Sequence, residues 1–307
     1  MSKTVLIVIW ILLLITGVVL VSYYGDIKTV EKQLFIKTND EAVINATGNL
    51  SMFLPNMRFD TNSISYSFID CSRESQDRMK QAFQIISDET TDIIFYEDRF
   101  PKIIIYCSPQ KEEKRNSTFV AGEGGPNKVI LLDLYPLIID GKIYLYGQKK
   151  QETCDYPIVE IHELLHVFGF DHINDSTKVL YPYVKCDQKI TQDIVDELKR
   201  LYTEKPKADL TLQNLSATMH GGYLDFNVTI LNRGLVISTN VSLNISSGGK
   251  TVEIVSIENL SPGISQTMTV KNLLIKAKNS NQVDFKVTSN SKEYFYENNQ
   301  LTATVTQ

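Results

Sequence analysis

The stretch HELLHVFGFDH, residues 162 to 172, holds three of the four histidines in a chain of 307 residues. In an α-helix, residues four apart lie one turn above each other, so His162 and His166 present their imidazoles on one face. Gly169, three residues beyond His166, can take the left-handed conformation that ends a helix, turning the chain so that His172 reaches the same point. Three neutral imidazoles gathered in this way suit Zn2+ and leave one coordination position open. Glu163, next to the first histidine, is placed to take a proton from water at that position. A bare HExxH arises by coincidence on polar helix faces. The glycine and the third histidine at fixed offsets, in a chain this poor in histidine, argue against coincidence here.

Working outward, SISYSFIDC (63–71) alternates as a strand does, and RESQDRMKQAFQIISDE (73–89) spaces Met79, Ala82, Phe83 and Ile86 as a helix does. TDIIFYE and KIIIYCS read as strands. NKVILLDLY (127–135) and KIYLYGQ read as two more, joined through Pro136 and an Asp140-Gly141 turn. A closing helix starts near Thr191, an N-cap candidate, and carries Ile194, Leu198 and Leu201. The expectation is an α/β unit with a mixed sheet over 63–203, preceded by a polar stalk or lead-in at 26–62 and followed by a linker at 204–209. From 210 to 307 the texture changes to about seven short alternating strands broken by Gly, Asn, Ser and Pro, the pattern of an antiparallel, immunoglobulin-like all-β sandwich.

The segment MSKTVLIVIWILLLITGVVLVSYYG, residues 1–25, has no charge after Lys3 and is long enough to span a bilayer as a transmembrane helix. It lacks a small-x-small cleavage site, which favours an uncleaved anchor over a secretion signal. Asn-x-Ser/Thr triplets at Asn45, Asn49, Asn116, Asn174, Asn214, Asn227, Asn240, Asn244 and Asn259 fit an extracytoplasmic body, although Asn- and Ser-rich strands also generate them by chance. The four cysteines permit two disulfides in such a compartment, or four buried thiols. A net charge of −5 without a basic run excludes nucleic acid as a partner.

HELLHVFGFDH resembles the HExxHxxGxxH motif of the metzincin zinc endopeptidases, and the strand and helix order over 63–203 is similar to that of the matrixins among them. That resemblance implies His162, His166 and His172 as ligands of one catalytic Zn2+, with Glu163 as general base and acid. Only His220 remains beyond these three, so a second, structural ion is not expected. In KVLYPYV (178–184) Leu180 stands where these enzymes carry a methionine turn, an exchange that keeps an apolar floor of similar volume. Tyr181 and Tyr183 would wall the adjoining pocket or hold a developing oxyanion. The resemblance sets the strands ending at Cys71 and Cys107 side by side and brackets the active helix with Cys154 and Cys186, implying Cys71–Cys107 and Cys154–Cys186 bridges. An extended peptide or protein substrate would lie along an edge strand at 127–135.

ADLTLQNL (208–215), NRG (232–234), LSPG (260–263) and ENNQLTATV (297–305) resemble a CARDB-type adhesion module. It implies contact with a surface protein or glycan, or a passive spacer. The expectation is a membrane-anchored extracytoplasmic zinc metalloendopeptidase. The alternative is a surface adhesion protein with a structural or vestigial zinc site.

Overall fold

The computed structural model describes residues 50–108, 120–147, 154–275 and 281–305. The apolar segment 1–25 and the triplets at Asn45, Asn49 and Asn116 lie outside them. No helix among the described residues is long and apolar enough to cross a membrane.

The first half builds one mixed sheet from β1 (Arg58–Phe59), β2 (Ser63–Ile69), β3 (Ile94–Glu97), β4 (Ile103–Ser108), β5 (Gly122–Ile130) and β6 (Leu137–Tyr146). The order is β1-β6-β4-β2-β3, with β5 on the other side of β6. Every pairing is parallel except that of β5 with β6. Helix α1 (Arg73–Thr90) is capped by Ser72, whose hydroxyl accepts from the Ser75 N–H, and ends at Thr91 in the left-handed region. It buries Met79, Ala82, Phe83 and Ile86, as its helical spacing requires, in one core with the sheet. Helix α2 (Ile158–Val167) is buried on nearly every side, and α3 (Gln192–Thr203) adds Ile194, Leu198 and Leu201 to the same core.

Two local expectations change. The edge strand runs from Gly122 rather than from 127, residues 131–136 form its turn into β6, and Asp140-Gly141 lies inside β6 instead of making a turn. Glycine carries no strand signal, yet a Cβ on Gly124 would sit 2.2 Å from the Glu163 carbonyl oxygen, and one on Gly141 would sit 2.5 Å from Val167 Cγ1. Helix α2 presses so closely on this hairpin that only glycine fits. The second change is at 50–62, expected as a loosely packed lead-in. Leu50, Met57 and Phe59 belong to the core there, and Arg58 is buried in β1.

The second half is a sandwich of seven strands: β7 (Leu210–His220), β8 (Tyr223–Asn232), β9 (Ser242–Ser247), β10 (Lys250–Ser256), β11 (Ser265–Leu274), β12 (Gln282–Thr288) and β13 (Gln300–Thr304). They form sheets of order β10-β9-β12-β13 and β11-β8-β7, antiparallel throughout. Alternation puts Leu224, Phe226 and Val228 of β8 against Leu243, Ile245 and Phe285 of the facing sheet, a second and separate core.

Candidate metal centre

Helix α2 sets His162 above His166, and the bend that follows returns His172. Gly169 adopts φ +93°, its N–H donates to the His166 carbonyl, and the Phe170 N–H donates to the Leu165 carbonyl. This left-handed exit satisfies carbonyls of the last helical turn. A Cβ on Gly169 would also sit 2.8 Å from Met57 Sδ, so the position needs glycine for space as well as for conformation.

The three imidazoles meet at their Nε2 atoms. His162 and His166 are 2.9 Å apart, His166 and His172 3.2 Å, and His162 and His172 3.3 Å. Nitrogens bound to zinc at tetrahedral angles and normal bond lengths lie about 3.3 Å from one another, so the triangle suits that ion. The remote ring nitrogens of His162 and His166 are committed elsewhere. His162 Nδ1–H donates to the Val179 carbonyl at 2.6 Å, and His166 Nδ1–H to the Phe170 carbonyl at 2.7 Å. These bonds fix the tautomer that leaves Nε2 with its lone pair free. Burial, and then the neighbouring His166, lowers the His162 pKa to about 4, and burial lowers that of His166 as well. Both rings therefore stay neutral at physiological pH, the form a metal binds.

Glu163 lies on the same helix beneath β5. Burial pushes its carboxyl up to about 8, opposed by a hydrogen bond from the Gly124 backbone and assisted by Glu123 and Glu160. A Cβ on Gly122 would meet Glu163 Cγ at 2.7 Å, so the carboxylate occupies the space the glycines vacate. Glu160, one turn earlier, takes a two-pronged ion pair from Arg78, which also donates to the Cys154 and Tyr156 carbonyls. Helix α1 thereby clamps the entry to α2.

The cysteines pair as Cys71–Cys107, across adjacent β2 and β4, and Cys154–Cys186. The second bridge ties the entry of α2 to the chain beyond the Leu180 turn. Leu180 is fully buried, and its carbonyl accepts from Ile173 N–H, which pins the loop carrying His172. Lys178 anchors the same turn on Asp193 of α3, at 2.5 Å. Tyr181 is half-buried and Tyr183 exposed, with rings 5.8 Å apart, and among the described residues neither hydrogen-bonds to the histidines.

Sequence reasoning missed the segment that walls the site. Phe53 N–H donates to the Gly169 carbonyl, Asp171 N–H donates to the Ser51 carbonyl, and Met52 bridges Phe170, so residues 51–53 fasten the bend from outside. The Phe53 ring stacks on His166 with centroids 5.9 Å apart. One irregular turn has no periodicity to read. The glycines Gly122 and Gly124 were also missed, and their signal was the GEGG run ahead of the strand.

The comparisons agree with this architecture. Residues 58–203 match the Matrixin family and residues 207–305 match CARDB. Among solved structures, the chain is similar to the CARDB domain of a Pyrococcus furiosus protein crystallised in complex with di-metal ions. That likeness has 14% identity and a TM-score of 0.26, and covers 33% of this chain and 90% of the other. None of the curated proteins matches the chain. Each match spans less than half of the chain, so each is a likeness of its own segment.

Proposed function

We propose that the chain is a zinc-dependent endopeptidase that cleaves protein substrates outside the cytoplasm, held at a membrane through residues 1–25. The matrixin match supports a zinc metallopeptidase at the level of the family, and the CARDB match supports an adhesive or binding role beside it. The observation that carries the reading is the meeting of three Nε2 atoms within 3.3 Å, beside a buried carboxylate on the same helix.

His162, His166 and His172 would hold the ion. When bound, zinc supplies a Lewis acid that polarises the scissile carbonyl and acidifies water. Beside the dication the Glu163 carboxyl, which burial alone pushes up to about 8, would ionise, and it then accepts the proton of the attacking water and delivers it to the leaving amine nitrogen. Strand β5 packs on Glu163 through Gly122 and Gly124, which leave the space its side chain occupies. Among the described residues β5 pairs only with β6, so its outer edge can add an extended substrate by main-chain hydrogen bonds. The turn through Leu180, Tyr181 and Tyr183 walls the pocket for the residue after the scissile bond.

The test is the zinc content and casein hydrolysis of the purified chain and of Glu163→Gln. The reading expects one zinc in each and turnover only in the parent. Undiminished turnover in Glu163→Gln removes the carboxylate from the reaction. Full zinc with no turnover in the parent, on casein or on proteins from its own cell surface, favours the adhesive reading with a structural ion.

A further inference from the structure

The motifs that mark the second domain face the first. Leu132 and Leu137, from the β5–β6 turn and the start of β6, are buried with Leu235 of the β8–β9 loop in a small cluster separate from both cores. Ile130, the last residue of β5, lies under the LSPG turn, where Gly263 at φ +75° leaves so little room that a Cβ would approach Ile130 Cγ2 to 2.6 Å. Arg233 of NRG reaches Asp133 and Asp209, each at 3.2 Å. Tyr294 sits against Tyr135, with ring centroids 5.6 Å apart.

These contacts come from a surface that is rigid in its own right. Asn232, fully buried, donates to the Val236 and Leu260 carbonyls and accepts from the Asp209 and Gly234 backbone N–H groups. Its own carbonyl accepts from Gly263 N–H. One side chain thereby locks the NRG and LSPG turns together. Gly234 passes so close to Ala208 that a Cβ would lie 2.3 Å from its carbonyl carbon. On the other side Arg58, buried, donates to the Leu201 and Glu204 carbonyls at the end of α3 and lies over the Tyr202 and Tyr135 rings. The junction is continuous, and residues 45–307 form one compact unit.

We infer that the CARDB domain is an internal brace for the edge strand of the metal centre: its NRG and LSPG turns and Tyr294 grip the β5–β6 turn and so set the position of Gly124 over Glu163. The element being gripped needs it. The register of β5 against β6 shifts at Pro126/Lys128 and again at Lys128/Val129, a pair of irregularities between the gripped end and the end that touches Glu163. A strand interrupted in this way is held only weakly by its own ladder. Leu235 and Leu132 act on the reaction through β5 and are positioning residues. That consequence rests on the peptidase reading, whereas the mechanical coupling does not.

Hydrogen exchange on the full chain separates the two. Leu235→Ala empties the junction without touching either core. The brace predicts that amide exchange in 122–130 accelerates on the order of tenfold or more, while β2, β4 and β7–β13 keep their protection. Lys250→Ala, at the start of β10 and outside the junction, leaves 122–130 unchanged. If Leu235→Ala loosens β7–β13, then Leu132→Ala, which cuts the same cluster from the other side, is read in its place. Unchanged exchange in 122–130 overturns the brace. With a cleavable extended peptide, the same variants raise KM more than they lower kcat and keep their zinc. Equal effects on a substrate too short to pair with β5 count against the inference. Absence of turnover in the parent chain overturns only the peptidase reading, because the exchange result still decides whether β5 is braced.

Discussion

Gly124→Ala is the most discriminating single change at the metal centre. A Cβ there would stand 2.2 Å from the Glu163 carbonyl oxygen and 2.8 Å from its carbonyl carbon and Cα, short by about 1.2 Å of the 3.4 Å at which ordinary contact begins. All three neighbours are helix backbone and cannot rotate away. Strand β5 must therefore lift off α2, and the Gly124 N–H withdraws from the Glu163 carboxylate. Overpacking against an unyielding neighbour, together with a weakened hydrogen bond to a charged group, costs about 2–4 kcal/mol. In a domain of this size that lowers the melting temperature by about 10 °C. On the proposed peptidase reading, a displacement near 1 Å at the Glu163 carboxylate reduces kcat/KM on the order of a hundredfold. Zinc content stays at the parent level, because none of the histidines lies on β5.

The adjacent residue is the control. A Cβ on Gly125 meets nothing within 4 Å, so Gly125→Ala loses only unfolded-chain entropy and is neutral or stabilising by about 0.5 kcal/mol. Thermal unfolding, zinc analysis and peptide hydrolysis of the two variants side by side decide the matter. Gly124→Ala with the stability and turnover of Gly125→Ala would refute the close approach of β5 to α2 and the role given to its amide.

Chelation with phenanthroline should lower the melting temperature of the parent, while His162→Ala starts low and drops no further; zinc held at a thousand times its Kd stabilises by about 4 kcal/mol, which calorimetry resolves. Replacing Cys154 and Cys186 together by serine opens a crosslink spanning 32 residues and should cost about 3–4 kcal/mol in denaturant unfolding, an unchanged midpoint counting against the bridge. Asp193 gives a pH signature. Burial opposes its ionisation, but the bonds from Lys178, Thr191 and the Ile194 amide outweigh it and hold the pKa below the usual carboxylate value. A depressed folded pKa contributes stability above the unfolded pKa and loses it as pH falls through the folded one. Asp193→Asn should therefore be less stable than the parent at neutral pH and converge with it in acid, and a gap that persists in acid denies the ion pair.

The parts of this structure that repeat were legible in the sequence. Helix α1 announces itself through Met79, Ala82, Phe83 and Ile86, the sandwich through strict alternation, and the metal centre through fixed offsets that a helix and a glycine bend convert into one point. The parts that depend on a neighbour were not. Gly122 and Gly124 carry no strand signal, and nothing local says that a helix will press on them. Phe53 and Met57 sit in an aperiodic segment whose partner, the bend at Gly169, lies more than a hundred residues away. Arg58 looks like a surface charge until Tyr135, Tyr202 and the end of α3 close around it. Long-range packing of irregular chain leaves no local period to detect.

The same distinction explains why the centre needs so much surrounding structure. The Nε2 lone pairs of His162 and His166 face one another at 2.9 Å and repel, and burial disfavours relief of the repulsion by protonation of either ring. Turning the rings away would break the bonds from Nδ1–H to the Val179 and Phe170 carbonyls. The bend could relax only by tearing residues 51–53 from it, and the Leu180 turn only by leaving Asp193 and the Cys186 bridge. For His162 and His166 each escape is closed by a contact outside the motif. A dication bound there would convert the repulsion into attraction, which would link metal binding to folding. The linkage can be measured: chelation should raise amide exchange first in 169–180, where the histidine-bearing bend and the Leu180 turn lie, before it reaches the sheet. Loss of protection that begins instead in β2 or β4 would show that the contacts around the bend do not bear the load assigned to them.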